Sequence, residues 1–329
     1  MLILRLGDPH VKASNIDEMD RLLFFIADTA VERKVDRIEI LGDAFHTHAV
    51  LRLEVLDYWT NAFEHLTDIC EVVVLVGNHD ISGSYNSDIS ALDIFIKTKN
   101  KNLHIINLPR VMGPIGYMPY IHDNTKFVES ANHLVSYGAK TLVCHGTFSG
   151  SKYENGFYAP DGVDPELLDF QTIISGHIHA RQRFVTSKGQ SVIYPGTAYW
   201  QSASDANQPK GLWLVKHDDA SGAILSEEFI STENVCQPII GLEYKEGEEM
   251  PIWANNARVT VELIGSSAWI AQEKAKLKGL CSIKTKITDK KKSEDRKTGN
   301  SFESFLSGAF TSTLNKERLL KYAKEIGIV

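Results

Sequence analysis

The stretch EVVVLVGNHD (71–80) joins a continuous apolar run to a glycine and three polar residues. A short Val-rich run bounded by Gly and Asn is typical of a buried strand. Asn78, His79 and Asp80 then lie directly after the carboxyl end of that strand. Because the loops at the carboxyl ends of strands in an open α/β sheet gather in one crevice, their location favours a functional site.

The same arrangement occurs at four other places in the first 180 residues. GDPH (7–10) and LGDAFH (41–46) follow apolar runs, and Cys-His-Gly (144–146) and GHIH (176–179) end two more. The polar residues placed in this way are Asp8, His10, Asp43, His46, His145, His177 and His179. One histidine after a strand is more often a surface residue than a ligand, and Gly-Asp is common turn chemistry. Five such clusters in order indicate one shared site.

Strand-like runs alternate with amphipathic stretches through the first two-thirds of the chain. The amphipathic stretches at 15–32, 51–66 and 87–97 predict helices. Strands are predicted at 2–6, 37–41, 71–76, 103–107, 141–145, 172–176, 191–195 and 212–216. Alternation of this kind predicts an α/β fold built of packed layers.

The pattern changes after the first domain, which we place at 1–220. A strand, a helix and a strand follow, and they predict a small α+β domain over 221–287. Residues 288–300 are nearly devoid of apolar side chains and predict a polar, basic linker. Residues 301–329 form two short amphipathic patterns, which predict a helical tail that needs a partner to cover its apolar faces.

The composition is that of a globular protein without a membrane segment. Of 329 residues, 43% are hydrophobic and 23% are charged, which allows a sizeable core. No apolar run approaches the roughly 18–20 residues of a membrane span. The apolar start of the chain is too short for a signal peptide, so we expect a soluble, cytoplasmic protein. Its four cysteines lack CxxC spacing, which fits neither a zinc knuckle nor a disulfide framework.

The charge of the chain is unevenly distributed. The formal net charge is −7, yet residues 274–297 hold ten Lys or Arg against three Asp or Glu, a local excess of +7. A basic segment on an acidic body suggests a localised contact with an anionic partner. A solvated helix face and tether would produce the same charge pattern, so charge alone leaves both interpretations open.

The residue types at the strand ends match one kind of chemistry. A carboxylate such as Asp43 can bridge two divalent cations, with imidazoles and one amide oxygen as the other ligands. Two cations roughly 3.5–4 Å apart lower the pKa of a bridging water and stabilise in-line displacement at phosphorus. Nitrogen and oxygen ligands without a thiolate suit Mn, Fe or Zn better than Ca or Cu(I), and ligand type alone does not choose among the first three.

The ordered set D-x-H, GD, GNHD, H and GH-x-H resembles the calcineurin-like metallophosphoesterase superfamily over about residues 1–200. The resemblance implies a layered β-sandwich core with flanking helices. It implies that one metal ion is held by Asp8, His10, Asp43 and His179. It implies that the other is held by Asp43, Asn78, His145 and His177. His79 would assist the leaving oxygen without binding metal, and Asp80 would orient its ring.

Several segments indicate a branch of that superfamily. The chain lacks the GD-x-x-DRG and GNHE patterns of the protein phosphatases. His46, three residues after Asp43, resembles the SbcD-type nuclease subunits, which pair with an SbcC-type ATPase. Other segments that resemble this branch are MPY (118–120), YPGTAYW (194–200), KGLWLVKH (210–217) and SFESFLSG (301–308). One departure is that Ala198, Tyr199 and Trp200 replace the usual charged and polar residues.

The branch resemblance implies a specific activity and specific partners. It implies a Mn²⁺-dependent nuclease on DNA ends, with Mg²⁺, Fe or Zn as alternative ions, 3′-to-5′ exonuclease and endonuclease activity, and catalytic His46. It also implies a homodimer with a coiled-coil ATPase, a capping domain over 221–287 and a partner-binding tail. The short, divergent chain suits a phage-type member that acts in the host cytoplasm.

Contacts to DNA and to the ATPase can be assigned to a few side chains. Arg181 and Arg183 follow GHIH, where a phosphate backbone would enter the site. Lys152 and Tyr153 lie in a loop with several aromatic residues that could cover a strand end by stacking, although the favoured interpretation is that these aromatics pack beneath the loop. The tail residues predicted to bind the base of the coiled coil are Phe302, Phe305, Leu306 and Phe310.

Two other functions share part of this pattern. A small-molecule or cyclic-nucleotide phosphodiesterase would use the same ligand set, but it leaves the capping domain, basic segment and apolar tail unexplained. A non-catalytic scaffold with a phosphoesterase fold would recruit partners without chemistry. A decayed site should lose ligands, whereas every ligand position here is filled.

Overall fold

The computed structural model describes residues 1–48, 50–83 and 89–288. The proposed partner-binding residues Phe302, Phe305, Leu306 and Phe310 lie outside the described residues, as do the linker from residue 289 onward and the predicted helical tail. None of the helices in the described ranges is long and apolar enough to cross a membrane.

The regular elements of the described ranges follow the predicted alternation. The helices are α1 (Ile16–Arg33), α2 (Leu53–Thr67), α3 (Asp93–Ile96), α4 (Asn124–Ser136) and α5 (Ser267–Leu277). The strands are β1 (Leu2–Leu6), β2 (Arg37–Ile40), β3 (Glu71–Leu75), β4 (Leu103–Ile106), β5 (Arg110–Met112), β6 (Ile115–Tyr117), β7 (Thr141–His145), β8 (Thr172–Gly176), β9 (Gln182–Val185), β10 (Ser191–Tyr194), β11 (Gly211–His217), β12 (Ile224–Ser231), β13 (Ile239–Lys245), β14 (Arg258–Gly265) and β15 (Ser282–Ile287).

Two six-stranded sheets form the core. The first has the order β12-β11-β1-β2-β3-β4, and the second has the order β5-β6-β7-β8-β10-β9. Strands β1 to β4 run parallel, as do β6, β7, β8 and β10, while β5, β9, β11 and β12 add antiparallel edges. The central parallel strands are buried on both faces, as their continuous apolar runs indicated. The predicted layered α/β core is confirmed.

Alternation of side chains along each strand separates three apolar layers. On β1, Leu4 belongs to the layer beneath α1 and α2, together with Trp59. The neighbouring Ile3 belongs to the layer between the two sheets, where it joins Val143 of the second sheet. A third layer lies under α4 on the other face of the second sheet. The helices therefore cover the outer faces, and the sheets pack on each other.

Some elements differ from the sequence expectation. A helix was expected over 87–97. Within the described part of that range, the helix is limited to the four residues of α3. The edge strands β5 and β9 were not predicted, because short, partly exposed strands leave a weak apolar pattern. Helix α4 was not predicted either, although its N-cap carries a signal: Asp123 Oδ1 accepts hydrogen bonds from the backbone N–H groups of Thr125 and Lys126.

Within the described part of the chain after Ser231, a second compact unit is made of Glu243–Met250 and residues 262–288. The predicted strand, helix and strand are present as β14, α5 and β15, and the three-stranded sheet has the order β13-β14-β15. Helix α5 begins after Ser266, whose hydroxyl accepts from the N–H of Trp269. The Trp269 ring lies 5.0 Å from that of Tyr244, which fixes the helix on the sheet.

A charged network is buried between the two core sheets. Arg5 on β1 and Glu39 on β2 are both excluded from solvent, and Arg5 Nε lies 2.6 Å from Glu39 Oε2. Glu39 also accepts the hydroxyl of Tyr117 on β6, and Arg5 Nη1 lies 2.8 Å from His217 Nε2. Removing charge from water is unfavourable unless the charges are paired and hydrogen-bonded. The network therefore fixes the position of β1 and β2 in the first sheet relative to β6 in the second sheet.

The buried His217 predicts an acid-sensitive step in stability. Burial and the charge of Arg5 lower the pKa of His217 from 6.5 to about 4. The unfolded chain binds this proton more readily, so the stability linked to His217 is present above pH 6.5 and lost as the pH falls towards 4, by about 3 kcal/mol. Urea unfolding at pH 7 and pH 4 should show that His217→Gln loses about 3 kcal/mol less on acidification than wild type. Equal losses in the two proteins would contradict this role.

Candidate metal centre

The predicted ligands converge at the carboxyl ends of five parallel strands. Loops after β1, β2 and β3 belong to the first sheet, and the ends of β7 and β8 belong to the second. The side chains brought together are Asp8, His10, Asp43, Asn78, His145, His177 and His179. The two sheets therefore bring the candidate ligands into one crevice, the location that the positions after the strands predicted.

One group of ligands surrounds Asn78. The amide oxygen Oδ1 of Asn78 lies 2.9 Å from His145 Nε2 and 2.8 Å from His177 Nδ1. The two imidazole nitrogens are 3.2 Å apart, and His145 Nε2 lies 3.5 Å from Asp43 Oδ2. Two ligand atoms that each lie about 2.0–2.2 Å from one ion are about 3 Å apart. The spacing fits a single divalent ion among these four side chains.

A second group faces it across Asp43. His10 Nε2 lies 3.2 Å from His179 Nε2 and 3.5 Å from Asp43 Oδ2. Asp8 Oδ1 accepts the backbone N–H of His177, but its Oδ2 is buried and has no hydrogen-bond partner among the described residues. A buried carboxylate oxygen without a donor is unfavourable unless a cation satisfies it. This donor set therefore fits a divalent metal ion.

Asp43 is common to both groups. Its ligand oxygen lies within 4.8 Å of the ligand nitrogens of His145 and His177, and likewise of those of His10 and His79. Burial alone would raise the pKa of Asp43, but the positive charge of His145 and the hydrogen bond from it hold that pKa well below the usual range. The carboxylate is therefore ionised and placed to bridge two cations.

The imidazoles around Asp43 differ in their affinity for protons. Burial and the charge of His145 lower the pKa of His177 to about 3, so the His177 imidazole is neutral and its ring nitrogen is available to a cation. Burial alone would lower the pKa of His145, but the Asp43 carboxylate raises it to about 9. A cation that binds His145 must therefore displace a proton.

The backbone packs tightly against these ligands. His145 Nδ1 lies 2.7 Å from the carbonyl oxygen of Leu41, an interaction that turns Nε2 towards the centre. Gly42 has φ +104°, and a Cβ there would lie 2.2 Å from His145 Nδ1. A Cβ on Gly77 would lie 2.2 Å from Asp43 Oδ1. Both glycines are needed for this close approach, a role that the Gly-Asp and Gly-Asn dipeptides did not reveal.

The imidazole of His79 lies at the edge of the centre. Its ring centroid is 4.6 Å from that of His10 and 4.2 Å from that of His48. Its Nδ1 lies 2.8 Å from the carbonyl oxygen of His46, and its backbone N–H donates to Asp43 Oδ1 at 2.8 Å. The ring is thus oriented by the backbone of His46, while the exposed side chain of His46 stacks on it at 6.1 Å.

Asp80 has a different role from the one that the resemblance implied. Its Oδ1 accepts from the N–H of Phe45 at 2.9 Å, and its Oδ2 accepts from the N–H of Gly77 at 2.8 Å. Burial and the charge of Asp43 raise the pKa of Asp80 to about 7. Because both oxygens bind backbone, Asp80 connects the loops that carry Asp43 and His79 and does not orient the His79 ring.

The four side chains predicted to contact DNA lie in different surroundings. Arg183 forms an ion pair with Glu227 at 2.6 Å, and the Arg181 guanidinium lies 4.4 Å from the centroid of the Phe229 ring. Lys152 Nζ lies 4.8 Å from the centroid of the Tyr158 ring. The two arginines are engaged with β12, so a phosphate would have to compete with those contacts.

Tyr153 lines a cavity of about 350 Å³ beside His177. The side chain is half-buried and packs against the apolar layer under α4. Tyr120, which the MPY segment supplied without a predicted role, lines the same cavity and stacks on the His177 ring at 6.2 Å and 25°. The cavity therefore places aromatic and polar side chains next to one of the ligand groups.

Comparison with known proteins agrees with this site. Phosphoesterase relatives occur in Invertebrate iridescent virus 6 (Putative phosphoesterase 244L, 28% identity over 66% of this chain and 76% of that protein) and in Invertebrate iridescent virus 3 (Putative phosphoesterase 078R, 25% over 60% and 57%). Exonuclease subunit 1 of Enterobacteria phage T4 is 22% identical over 75% of this chain and 74% of that protein. The sequence profile named Calcineurin-like phosphoesterase matches residues 1–181, more than half of the chain. Together with the paired ligand groups, this match shows that the chain belongs to the calcineurin-like phosphoesterase family.

Proposed function

We propose that this protein is a two-metal DNA nuclease subunit that processes DNA ends together with an SbcC-type coiled-coil ATPase. The observation that carries the proposal is the pair of ligand groups that share the Asp43 carboxylate. One ion would be held by Asp8, His10, Asp43 and His179, and the other by Asp43, Asn78, His145 and His177. Mn²⁺ suits this set of imidazoles, carboxylates and one amide oxygen.

The protein's own residues would position and protonate the substrate. When bound, two divalent ions would activate a water for attack and stabilise the charge that develops at phosphorus. His79 Nδ1 is bonded to the His46 carbonyl, which leaves Nε2 to exchange a proton with the leaving oxygen. An imidazole suits this task because its ordinary pKa lies near neutral pH.

DNA as the substrate is supported by a relative and by the cavity. Exonuclease subunit 1 of phage T4 is a distant relative whose match extends over three-quarters of this chain. The cavity beside His177 is lined by Tyr120 and Tyr153, on which a nucleobase could stack. Its volume of about 350 Å³ lies within the range of roughly 300–1,000 Å³ that is typical of small-molecule sites, so the volume alone suits a small phosphodiester equally well.

Assembly extends the same proposal. The second compact unit, within residues 221–287, would be the capping domain. Residues 288–300 would be the tether, and 301–329 would bind the base of the ATPase coiled coil in a homodimeric complex. The main alternative is a phosphodiesterase for small molecules or cyclic nucleotides, which would use the same ligand groups. A non-catalytic scaffold is the other alternative, and the retention of every ligand argues against it.

A substrate comparison separates these functions. With Mn²⁺ present, the purified protein should cleave 3′-labelled linear duplex DNA, and an Asp43→Asn preparation should show no such activity. Bis-p-nitrophenyl phosphate and cyclic AMP serve as the small substrates. Hydrolysis of these esters without cleavage of DNA, even after addition of the ATPase subunit, would refute the nuclease function and favour the small-molecule alternative.

A further inference from the structure

A buried ion pair, Lys210 with Asp205, lies beside the candidate metal centre. Lys210 is 1% exposed and Asp205 is fully buried, and Lys210 Nζ lies 2.5 Å from Asp205 Oδ1. Neither residue follows one of the strands that supply the ligands. A buried pair of this kind contributes little net stability over apolar residues of the same size. Its remaining hydrogen bonds therefore show what the pair holds in place.

Lys210 reaches one metal ligand. Its Nζ donates a second hydrogen bond to the carbonyl oxygen of His179 at 2.8 Å. The same carbonyl accepts the backbone N–H of Thr197 at 3.2 Å. The peptide of His179 is thus fixed from two sides, which limits how far its imidazole can move relative to His10.

Asp205 reaches another ligand through Gln201. Asp205 Oδ2 accepts the backbone N–H groups of Gln201 and Ser202, each at 3.0 Å. The side-chain amide of Gln201 then donates to the carbonyl oxygen of Asp8 at 2.7 Å. One carboxylate therefore connects Lys210 on one side and the Asp8 loop on the other.

The two connections, the arm from Lys210 to His179 and the arm from Asp205 through Gln201 to Asp8, end on the same ligand group. Asp8 and His179 belong to the group that also contains His10, whereas His145 is held separately by the Leu41 carbonyl. We propose that the Lys210–Asp205 pair is a positioning device that acts mainly on the ion of the Asp8–His10–His179 group and only weakly, through the contact of Asp8 with the N–H of His177, on the ion of the Asn78–His145–His177 group. This inference rests on the two-ion site of the proposed function.

A charge-free variant tests the proposal without leaving a buried charge unpaired. The double variant Lys210→Met with Asp205→Asn removes both charges and preserves the approximate volume of both side chains. A second variant, Gln201→Ala, removes only the arm to Asp8. Lys216→Met, in the exposed part of the strand that follows Lys210, is the matched control. Thermal melting checks that each variant is folded.

The measurements use Mn²⁺ alone as the probe. Calorimetric titration of wild type should detect two ions, and electron paramagnetic resonance should show a spin-coupled pair. In the double variant, the ion of the Asp8–His10–His179 group should bind about 10–100-fold more weakly, as with other changes behind metal ligands, while the affinity for the other ion should fall by a clearly smaller factor. The spectrum of the half-loaded variant should then be that of an isolated Mn²⁺ ion, and Gln201→Ala should show the same change to a smaller extent.

Several outcomes would overturn the inference. Equal weakening of both ions would mean that the pair supports the whole fold, and unchanged affinities would mean that it does not position ligands. Failure of wild type itself to bind two ions would refute the two-metal function, which distinguishes that failure from a failure of the positioning role.

Discussion

Asp43→Asn is expected to remove paired metal binding and to lower phosphodiester hydrolysis by about 10³-fold or more. The substitution keeps the shape of the side chain and an oxygen that can accept the N–H of His79. It removes the negative charge that both ligand groups share. Metal ions contribute several kcal/mol of transition-state stabilisation, and each 1.36 kcal/mol corresponds to about tenfold in rate.

The measurement pairs Mn²⁺ titration with the rate of DNA cleavage at saturating Mn²⁺. Asp68→Asn is a suitable control, because Asp68 is an exposed residue at the end of α2 and makes no contact with the centre. Its affinity and rate should equal those of wild type. A variant at Asp43 that still binds two ions with wild-type affinity would show that the shared carboxylate is not a bridge.

The convergence of the candidate ligands could be predicted because each has a local signal. Asp8, Asp43 and His145 each follow or end a short apolar run, and parallel strands place such residues at one edge of the fold. The backbone at the site is less predictable. Asp8, His10, Asp43 and His177 have φ between 42° and 80°, a strained conformation for residues other than glycine. Such strain is imposed by the surrounding structure and leaves little trace in composition.

Contacts between distant segments of the chain were not predicted from the sequence, for a different reason. From the sequence, Lys210 would be interpreted as a solvated charge before a strand. In the structure it is buried, and it donates to the carbonyl oxygen of His179. Arg5 likewise interrupts an apolar strand, and its partner explains it: Arg5 pairs with Glu39 on the neighbouring strand β2, which also accepts the hydroxyl of Tyr117 from the second sheet. Asp80 was assigned to the neighbouring ring of His79 but binds the backbone of Phe45, 35 residues away. Pairings of this kind depend on topology, which no single stretch of sequence contains.

His79→Ala is expected to retain both Mn²⁺ ions and to lower DNA cleavage by about 10²–10⁴-fold, the usual contribution of a positioned acid or base. The geometry leaves a second role open, because a ring nitrogen of His79 lies within 4.8 Å of the ligand atoms of His10 and Asp43. The hydrogen bond from Nδ1 to the His46 carbonyl fixes the ring and keeps Nε2 available, an orientation that suits either role, so a measurement has to separate them.

The leaving group distinguishes the two roles of His79. A deoxyribose hydroxyl leaves poorly without a proton, whereas p-nitrophenolate is a stable anion and needs none. If His79 is an acid, His79→Ala should lose far more activity on DNA than on bis-p-nitrophenyl phosphate, with metal stoichiometry unchanged. If His79 is a ligand, one ion should be lost and both substrates should be affected alike. His133→Ala, on the outer helix α4, controls for the general effect of removing an imidazole. Loss of a proton donor thus lowers activity mainly on the substrate with the poor leaving group, whereas loss of a ligand lowers activity on both substrates. This difference in rates can be measured without a structure of the bound substrate.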